Sequence, residues 1–471
     1  MVQGVAIING VIQNTNPATG ELITSPSIKV TTTSELANVI SKANVAQAAW
    51  SDLPIADRIS MIRKGITAVE PITQKLADSI TREMGKVPAE ALEEVTDANG
   101  LKGEWLDMVA EANADVKLPG DGAESVIVRD PLGVVAVISP WNYPVGEIPL
   151  LALPALVAGN AVILKPSEVT PVTGAMYCEA LASALPEGVL QVVQGDGDVG
   201  SQLVDSKDIH MVAMTGSTNT GKRIMEKCAG SLKRLVLELG GKDPMVVFAD
   251  ADLDKAAADA VGNSLYNQGQ SCCSVERVYI EESVKAEFEK KVVALAKEQK
   301  VGVPTDEGVT VGPMVSEMQL QNVKTQVEDS IANGATKLYE SEIPAGAGNY
   351  FPVTVLSDLN QKMLIQRNET FGPVVALSTF DGTEAKAIEL ANDTEYGLCS
   401  YVYTEDLKKG ARVARKFRSG QVGINCYSIA AAQPGCPWIG HKGSGFGTHS
   451  GMDGFRSFSV PKSLVYTTSA P

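Results

Sequence analysis

Along residues 34–50 and 54–83 apolar positions recur three and four residues apart, as Ala37, Ile40 and Ala43 and then Ile59, Ile62, Ile66 and Val69. That spacing predicts a mainly helical first hundred residues. The texture then changes. Residues 115–131, DVKLPGDGAESVIVRDP, alternate apolar and polar positions around PGDG, the pattern of a β-hairpin arm rather than core. From Gly133 the short apolar runs VVAVIS, AVILK, LQVVQG, MVAMTG, RLVLELGG and PMVVF are separated by segments of helical length. Parallel strands covered on both faces by crossover helices read this way. A second series restarts after Cys272 with ERVYIEE, a long helix over Lys285–Lys300, FPVTVL, VVALSTF, SYVYTE and GQVGIN. The expected fold class is α/β: two doubly wound parallel-sheet domains plus a small β arm.

At 471 residues the chain is longer than one hydrophobic core usually spans, which agrees with two domains and an arm. Its net charge of −16 and pI near 4.8 exclude the basic surface that nucleic acid or an anionic membrane attracts. The seven cysteines are an odd number, spread out, with no CxxC and no metal-like cluster with the three histidines. Free thiols in a reducing compartment and no metal site are expected. The N-terminal stretch has no basic region followed by a long apolar run, and Leu132–Ser139 and Leu150–Val157 are too short or too interrupted to span a bilayer. The expectation is a soluble, cytoplasmic protein, with an organelle left open.

Candidate chemistry begins at GQSCCSVER (269–277), where two cysteines lie between a turn and a strand. A buried cysteine is ordinarily just a small hydrophobe, so its company matters. LVLELGG (235–241) places one carboxylate, Glu238, in an otherwise apolar strand; burial would lift its pKa towards neutrality, where it can serve as a general base. A Glu paired with a buried Lys or Arg is the plainer reading. In PWNYP (140–144), Asn142 follows a strand and can offer an amide donor to an oxyanion, or be an ordinary turn residue. Lys165 and Glu168 in ILKPSE lie just beyond another strand, suited to ribose hydroxyls or to a solvated surface pair. MTGSTNTG (214–221) is a Gly- and Thr-rich turn before a helix, suited to a pyrophosphate although it is not GxGxxG. ETFGPVV (369–375) presents Glu369 in a turn before a strand.

Taken together and in this order, these segments resemble the aldehyde dehydrogenase superfamily, from NPATGE (16–21) to PKSLVY (461–466). The resemblance implies that Cys272 is the nucleophile and Cys273 a neighbour that is not required. It implies that Glu238 is the general base and that Asn142, with the Cys272 backbone N–H, is the oxyanion donor. Lys165, Ser167 and Glu168 fall on ribose-binding positions, Gly216 and Ser217 on the phosphate turn, and Glu369 with Phe371 on the nicotinamide-ribose contact; Trp141 and Leu239 complete the cofactor set. NAD, with NADP possible, an aldehyde substrate and a homodimer or homotetramer follow from the same resemblance. So does a division into a cofactor-binding domain (1–112 and 132–240), a catalytic domain (241–440) and an oligomerisation arm (113–131 and 459–469).

Members of this family that take cationic aldehydes line the tunnel with aromatics. Aligned positions here hold Tyr143, Tyr266 and Trp438, with Glu147 close behind Asn142, which points to betaine aldehyde or an ω-aminoaldehyde. Tyr266 stands where semialdehyde-specific relatives often carry Arg. General aliphatic, semialdehyde and CoA-acylating dehydrogenases, and a non-catalytic binding protein, are the alternatives. The chain departs from the family at His449, which replaces a glutamate after the GFG turn, at Leu150-Leu151, which replaces a Trp-Lys pair, and in a lengthened loop between Asn425 and Lys442.

Overall fold

The computed structural model describes residues 5–120 and 123–467, the side chains of 429 and 430 excepted. The expected N-terminal helices form as Thr33–Ser51, Ile55–Val69, Thr73–Met84, Pro88–Gly100 and Glu104–Ala112. Thr32 and Glu35 close a reciprocal capping box on the first. The periodic stretch 54–83 is broken by a 3₁₀ turn over Glu70–Ile72, because Pro71 has no N–H with which to continue a helix. Among the described residues, 5–32 are not helical. Ala6–Ile8 and Val11–Gln13 pair through Asn9-Gly10, both at positive φ, as an Asn-Gly hairpin requires, and Ile28–Lys29 joins as a third strand.

The first large sheet runs Gly445–Phe446, Arg234–Glu238, Met211–Thr215, Val134–Ile138, Ala161–Lys165, Leu190–Val192; all its neighbours are parallel except the short first strand. Chain order reverses between Val134–Ile138 and Met211–Thr215, so a crevice opens beyond their carboxyl ends. The second sheet runs Thr336–Glu340, Thr354–Ser357, Val374–Phe380, Val275–Glu281, Asp243–Val247, Cys399–Tyr403, Gln421–Ile424, and only Thr336–Glu340 is antiparallel.

Two sequence expectations shift, and one strand is not among those expected. PMVVF opens the second sheet instead of closing the first, so the chain changes sheet at Gly240–Gly241. The long helix stops at Ala296, short of Lys300. Thr336–Glu340 carries no apolar alternation, because as an edge strand it has no fully buried residue.

The central strands Val134–Ile138, Ala161–Lys165, Met211–Thr215 and Asp243–Val247 are buried almost without break, which is why they read as continuous apolar runs. Ile62 and Ile66 are fully enclosed, and the Trp50 indole donates to the Leu156 carbonyl at 2.9 Å, fixing the helical layer on the first sheet.

Val116–Gly120, Ala123–Pro131 and Ser459–Tyr466 make a separate antiparallel sheet. Its C-terminal strand pairs with Glu124–Pro131 of its own chain, so any pairing with another subunit falls to an outer edge. Residues 121–122 of the expected turn and 468–469 of the expected arm lie outside the described residues. Among the described residues no helix is long and apolar enough to cross a membrane, and no group of His, Cys, Asp and Glu is arranged to hold a metal ion.

Candidate active site

Gly240 and Gly241, where the chain passes between sheets, are required by close approach. A Cβ on Gly241 would lie 2.1 Å from the Cys272 carbonyl oxygen, and one on Gly240 would lie 2.6 Å from a Glu369 oxygen. This brings Glu238, Cys272 and Glu369 to one place. Cys272 itself is aimed by an unusual turn in which Asn267, Gln268 and Gly269 all have positive φ. Such strain persists only where the surroundings hold it. Here the Asn267 N–H donates to Glu90 at 2.9 Å, its side chain donates to the carbonyls of Asn142 and Gln270, and the Gln268 amide donates to the Gly85 carbonyl.

Asn142 is buried and its Nδ2 donates one hydrogen to the Gln270 carbonyl at 3.1 Å. The second hydrogen of the amide is not used by that bond. Glu238 ends its strand buried. Its Oε1 accepts from the Trp438 indole at 3.2 Å, while Oε2 has no hydrogen-bond partner. Burial first, and then the charge of Glu147, push the Glu238 carboxyl well above its usual range. Glu147 accepts from Thr215 Oγ1 at 3.0 Å and is itself raised to about 7, chiefly by burial.

The Cys272 thiol is pushed up, by hydrogen bonding with Cys273 first, then by burial and by the Glu238 carboxylate. A base that takes the thiol proton would supply the thiolate that attacks a carbonyl. Cys273 differs in its surroundings. Its sulfur lies 3.1 Å from Ser271 Oγ and 3.2 Å from the Tyr427 hydroxyl, packed in the core of the second sheet, and the hydroxyls of Tyr401 and Tyr427 both donate to its carbonyl.

The residues expected to hold a cofactor gather along the crevice at the sheet reversal. Lys165 and Glu168 are buried, not a solvated pair. The Lys165 ammonium donates to the carbonyls of Gly195 at 2.6 Å and Pro166 at 2.9 Å and lies 3.5 Å from Glu168, whose Oε1 is buried without a partner. Ser167 accepts from the Val169 N–H. Ser217 caps the helix Thr218–Ala229 by accepting from the Thr220 N–H, and the Gly216 N–H donates to the Glu238 carbonyl at 2.9 Å. Leu239 fills the space beside Gly221, where any Cβ would collide with it.

Glu369 accepts from the Gly241 N–H at 2.9 Å and is raised to about 8, by burial and then by Glu276. The rings of Phe371 and Trp141 meet edge to face, with centroids 5.4 Å apart. The orphaned acceptor of Glu168 and, beyond a different strand of the same sheet, the Ser217-capped helix N-terminus are groups of the kind that suit a dinucleotide's ribose and phosphate.

The aromatics expected around the substrate are present, but each already holds a protein partner. The Lys86 ammonium sits over the Tyr143 ring, 4.0 Å from its centroid. The Tyr266 hydroxyl donates to Glu93 at 2.9 Å, and Trp438 donates to Glu238. His449 is buried, pairs through its backbone with Trp438 and is lowered to about 3 by burial, so it stays neutral.

Sequence reasoning missed two buried ion pairs. Lys86–Glu94, at 2.6 Å, holds the N–H groups of Val145 and Gly146 and so fixes the loop bearing Asn142. Lys242–Glu276, at 2.5 Å, holds the N–H groups of Thr370 and Phe371 and so fixes the turn bearing Glu369. Lys86 and Glu94 are eight residues apart across a helix break, and Glu276 lies in a strand; only folding brings each pair together.

Cys272, Glu238 and Asn142 thus come together where the chain passes between the two large sheets. Residues 7–464 match the model of the aldehyde dehydrogenase family, and the chain belongs to that family. Over 452 residues it is 36% identical to the glutarate-semialdehyde dehydrogenase of Pseudomonas putida, covering 95% of this chain and 92% of that one. It is equally 36% identical, over 468 residues, to a betaine aldehyde dehydrogenase of Rhizobium etli, covering 98% and 94%. Among solved structures, an NADP-dependent enzyme of Escherichia coli superposes with a TM-score of 0.92 at 33% identity, covering 98% of each chain. The betaine aldehyde dehydrogenase of Staphylococcus aureus in complex with NAD+ does so with a TM-score of 0.92 at 30% identity, covering 98% of this chain and 93% of that one. The protein is an NAD(P)-dependent aldehyde dehydrogenase.

Proposed function

We propose that this enzyme oxidises a cationic aldehyde, of the betaine aldehyde or ω-aminoaldehyde class, to its acid through a covalent intermediate on Cys272. The convergence of Cys272, Glu238 and Asn142 carries the mechanism. Glu238 takes the proton from the raised Cys272 thiol, and the thiolate attacks the aldehyde carbon. The oxygen that gains charge accepts the second Asn142 hydrogen, held in place because the first is bonded to Gln270. Lys165, Ser167, Glu168, Gly216, Ser217, Glu369 and Phe371 would hold NAD(P)+, which when bound would supply the two-electron acceptor that oxidation of the thiohemiacetal to a thioester requires. Glu238 releases that first proton to solvent and then removes a proton from water, whose oxygen attacks the thioester carbonyl; the C–S bond breaks and Glu238 passes the second proton to the departing sulfur, restoring the Cys272 thiol.

The position of Glu147 supports the cationic class. Its carboxylate raises both Glu238 and Cys272, and where it is ionised, above its own pKa of about 7, it adds negative potential that disfavours a second carboxylate on the substrate. The ring faces of Tyr143, Tyr266 and Trp438 add attraction for a cation, reduced at Tyr143 by Lys86.

The test is a panel of cationic, uncharged and carboxylated aldehydes of equal length, assayed by NAD(P)H absorbance. Betaine aldehyde leading in kcat/KM is expected. Preference for glutarate semialdehyde would overturn the substrate class, and an acyl adduct found by mass spectrometry on Cys273 instead of Cys272 would overturn the mechanism. The arm's exposed Val116, Leu118 and Val465 support self-association; deletion of residues 459–471 should convert the oligomer to monomer or aggregate in light scattering.

A further inference from the structure

Glu238 has one side-chain hydrogen bond from an aromatic donor, and that donor is itself built into a fixed frame. Trp438 and His449 exchange two backbone hydrogen bonds, at 2.8 and 3.1 Å, and their rings lie 6.2 Å apart at 32°. The segment before Trp438 is seated on Gly451, where a Cβ would lie 2.6 Å from the Gly435 carbonyl. His449 is enclosed with Nδ1 near Ser450 and Nε2 unpartnered, so it supplies packing and no charge. The remaining titratable groups around the Glu238 carboxylate are Glu147, from the helix after Asn142, and Cys272 and Cys273, from the thiol loop. None is a cation, and the indole N–H is a fixed donor that cannot ionise.

We propose that Trp438 is a positioning residue for the general base: its indole N–H, 3.2 Å from Oε1, anchors the Glu238 carboxylate and leaves the unpartnered Oε2 as the oxygen that takes the proton. Trp438 then acts on proton transfer as well as lining the substrate tunnel. The two roles separate experimentally, because the ring face serves the tunnel and the N–H serves the base. The proposal rests on Glu238 being the base.

A hydrogen bond to the carboxylate favours its charged form, so removing it raises the pKa at which Glu238 becomes a base. The probe is replacement of Trp438 by β-(3-benzothienyl)alanine, which exchanges N–H for sulfur at nearly constant shape, beside Trp438→Phe. Both are compared with wild type in a thermal melt and in the pH dependence of kcat on one uncharged aldehyde. The expected result is an acid limb displaced upward by about one pH unit, with kcat near neutrality down roughly tenfold and recovering at alkaline pH. KM should stay within about twofold, since binding of an uncharged aldehyde does not use the N–H. Slower thioester hydrolysis should also appear as a burst of NAD(P)H before the steady state.

An unmoved acid limb in the benzothienyl variant, or movement in Trp438→Phe alone, would overturn the proposal by showing that only ring packing matters. Glu238→Gln keeps the two readings apart: if it still turns over at near wild-type rate, the base assignment itself fails. If it is inactive while the benzothienyl profile is unmoved, only the role of Trp438 fails.

Discussion

The two sides of Cys272 are built differently. Along the cofactor crevice a buried carboxylate oxygen on Glu168 is left open, and Ser217 sits exposed at a helix start. Around the substrate side the aromatic groups are engaged by the protein itself, Tyr143 by Lys86, Tyr266 by Glu93 and Trp438 by Glu238. One side leaves an acceptor open; on the other the aromatic side chains are already tied to protein partners, and on the proposed function they would serve as structural supports as well as specificity groups. Substitutions on the cofactor side should thus act on one ligand term, while those on the substrate side should spread into turnover.

The largest effect falls at the centre, where the sides meet. Cys272→Ala should lower turnover by about four orders of magnitude or more, whereas Cys273→Ala should keep it within roughly fivefold, measured as NAD(P)H formation. Comparable losses would mean that the sulfur held by Ser271 and Tyr427 also reacts. Next, Glu238→Gln should slow thioester hydrolysis by about 10²–10³. With the wild type, kcat should rise with pH along an acid limb above the ordinary carboxylate range, because the raised Glu238 is protonated and unable to accept below its pKa. An acid limb near pH 4 would remove Glu238 from that role.

On the cofactor side, kcat/KM should favour NAD+ over NADP+ by about tenfold, and Glu168→Gln should narrow that ratio without changing kcat, since a carboxylate accepts from a 2′-hydroxyl and repels a 2′-phosphate. Equal use of both by wild type would show that Glu168 is displaced when cofactor binds. The smallest effect concerns Glu147. Glu147→Gln should reduce the advantage of a cationic over an uncharged aldehyde by about threefold, and it should also lower the acid limb, because one of the charges raising Glu238 is gone. Loss of the advantage with no movement of the limb would separate the two networks that the geometry joins.

Much of this was legible along the chain because it is local. The apolar runs VVAVIS, AVILK and MVAMTG marked parallel strands, since crossover helices bury both faces and leave no polar alternation. The Asn-Gly hairpin at residues 9–10 is equally local, a two-residue turn whose positive φ values Asn and Gly accommodate. Thr336–Glu340 was illegible for the opposite reason: an exposed edge strand needs no apolar face.

By itself, the sequence determined the two α/β series and the order of the motifs, because strand ends and turns are set by short-range spacing; the roles expected of Cys272, Glu238 and Asn142 follow from the family resemblance instead. Tertiary structure alone decided which side chains meet. It put PMVVF in the second sheet, buried Lys165 with Glu168, placed Lys86 over Tyr143, and brought Trp438, 200 residues away in the chain, to Glu238. Those contacts depend on how domains pack and on which polar groups must find partners once water is excluded, and no local spacing encodes them.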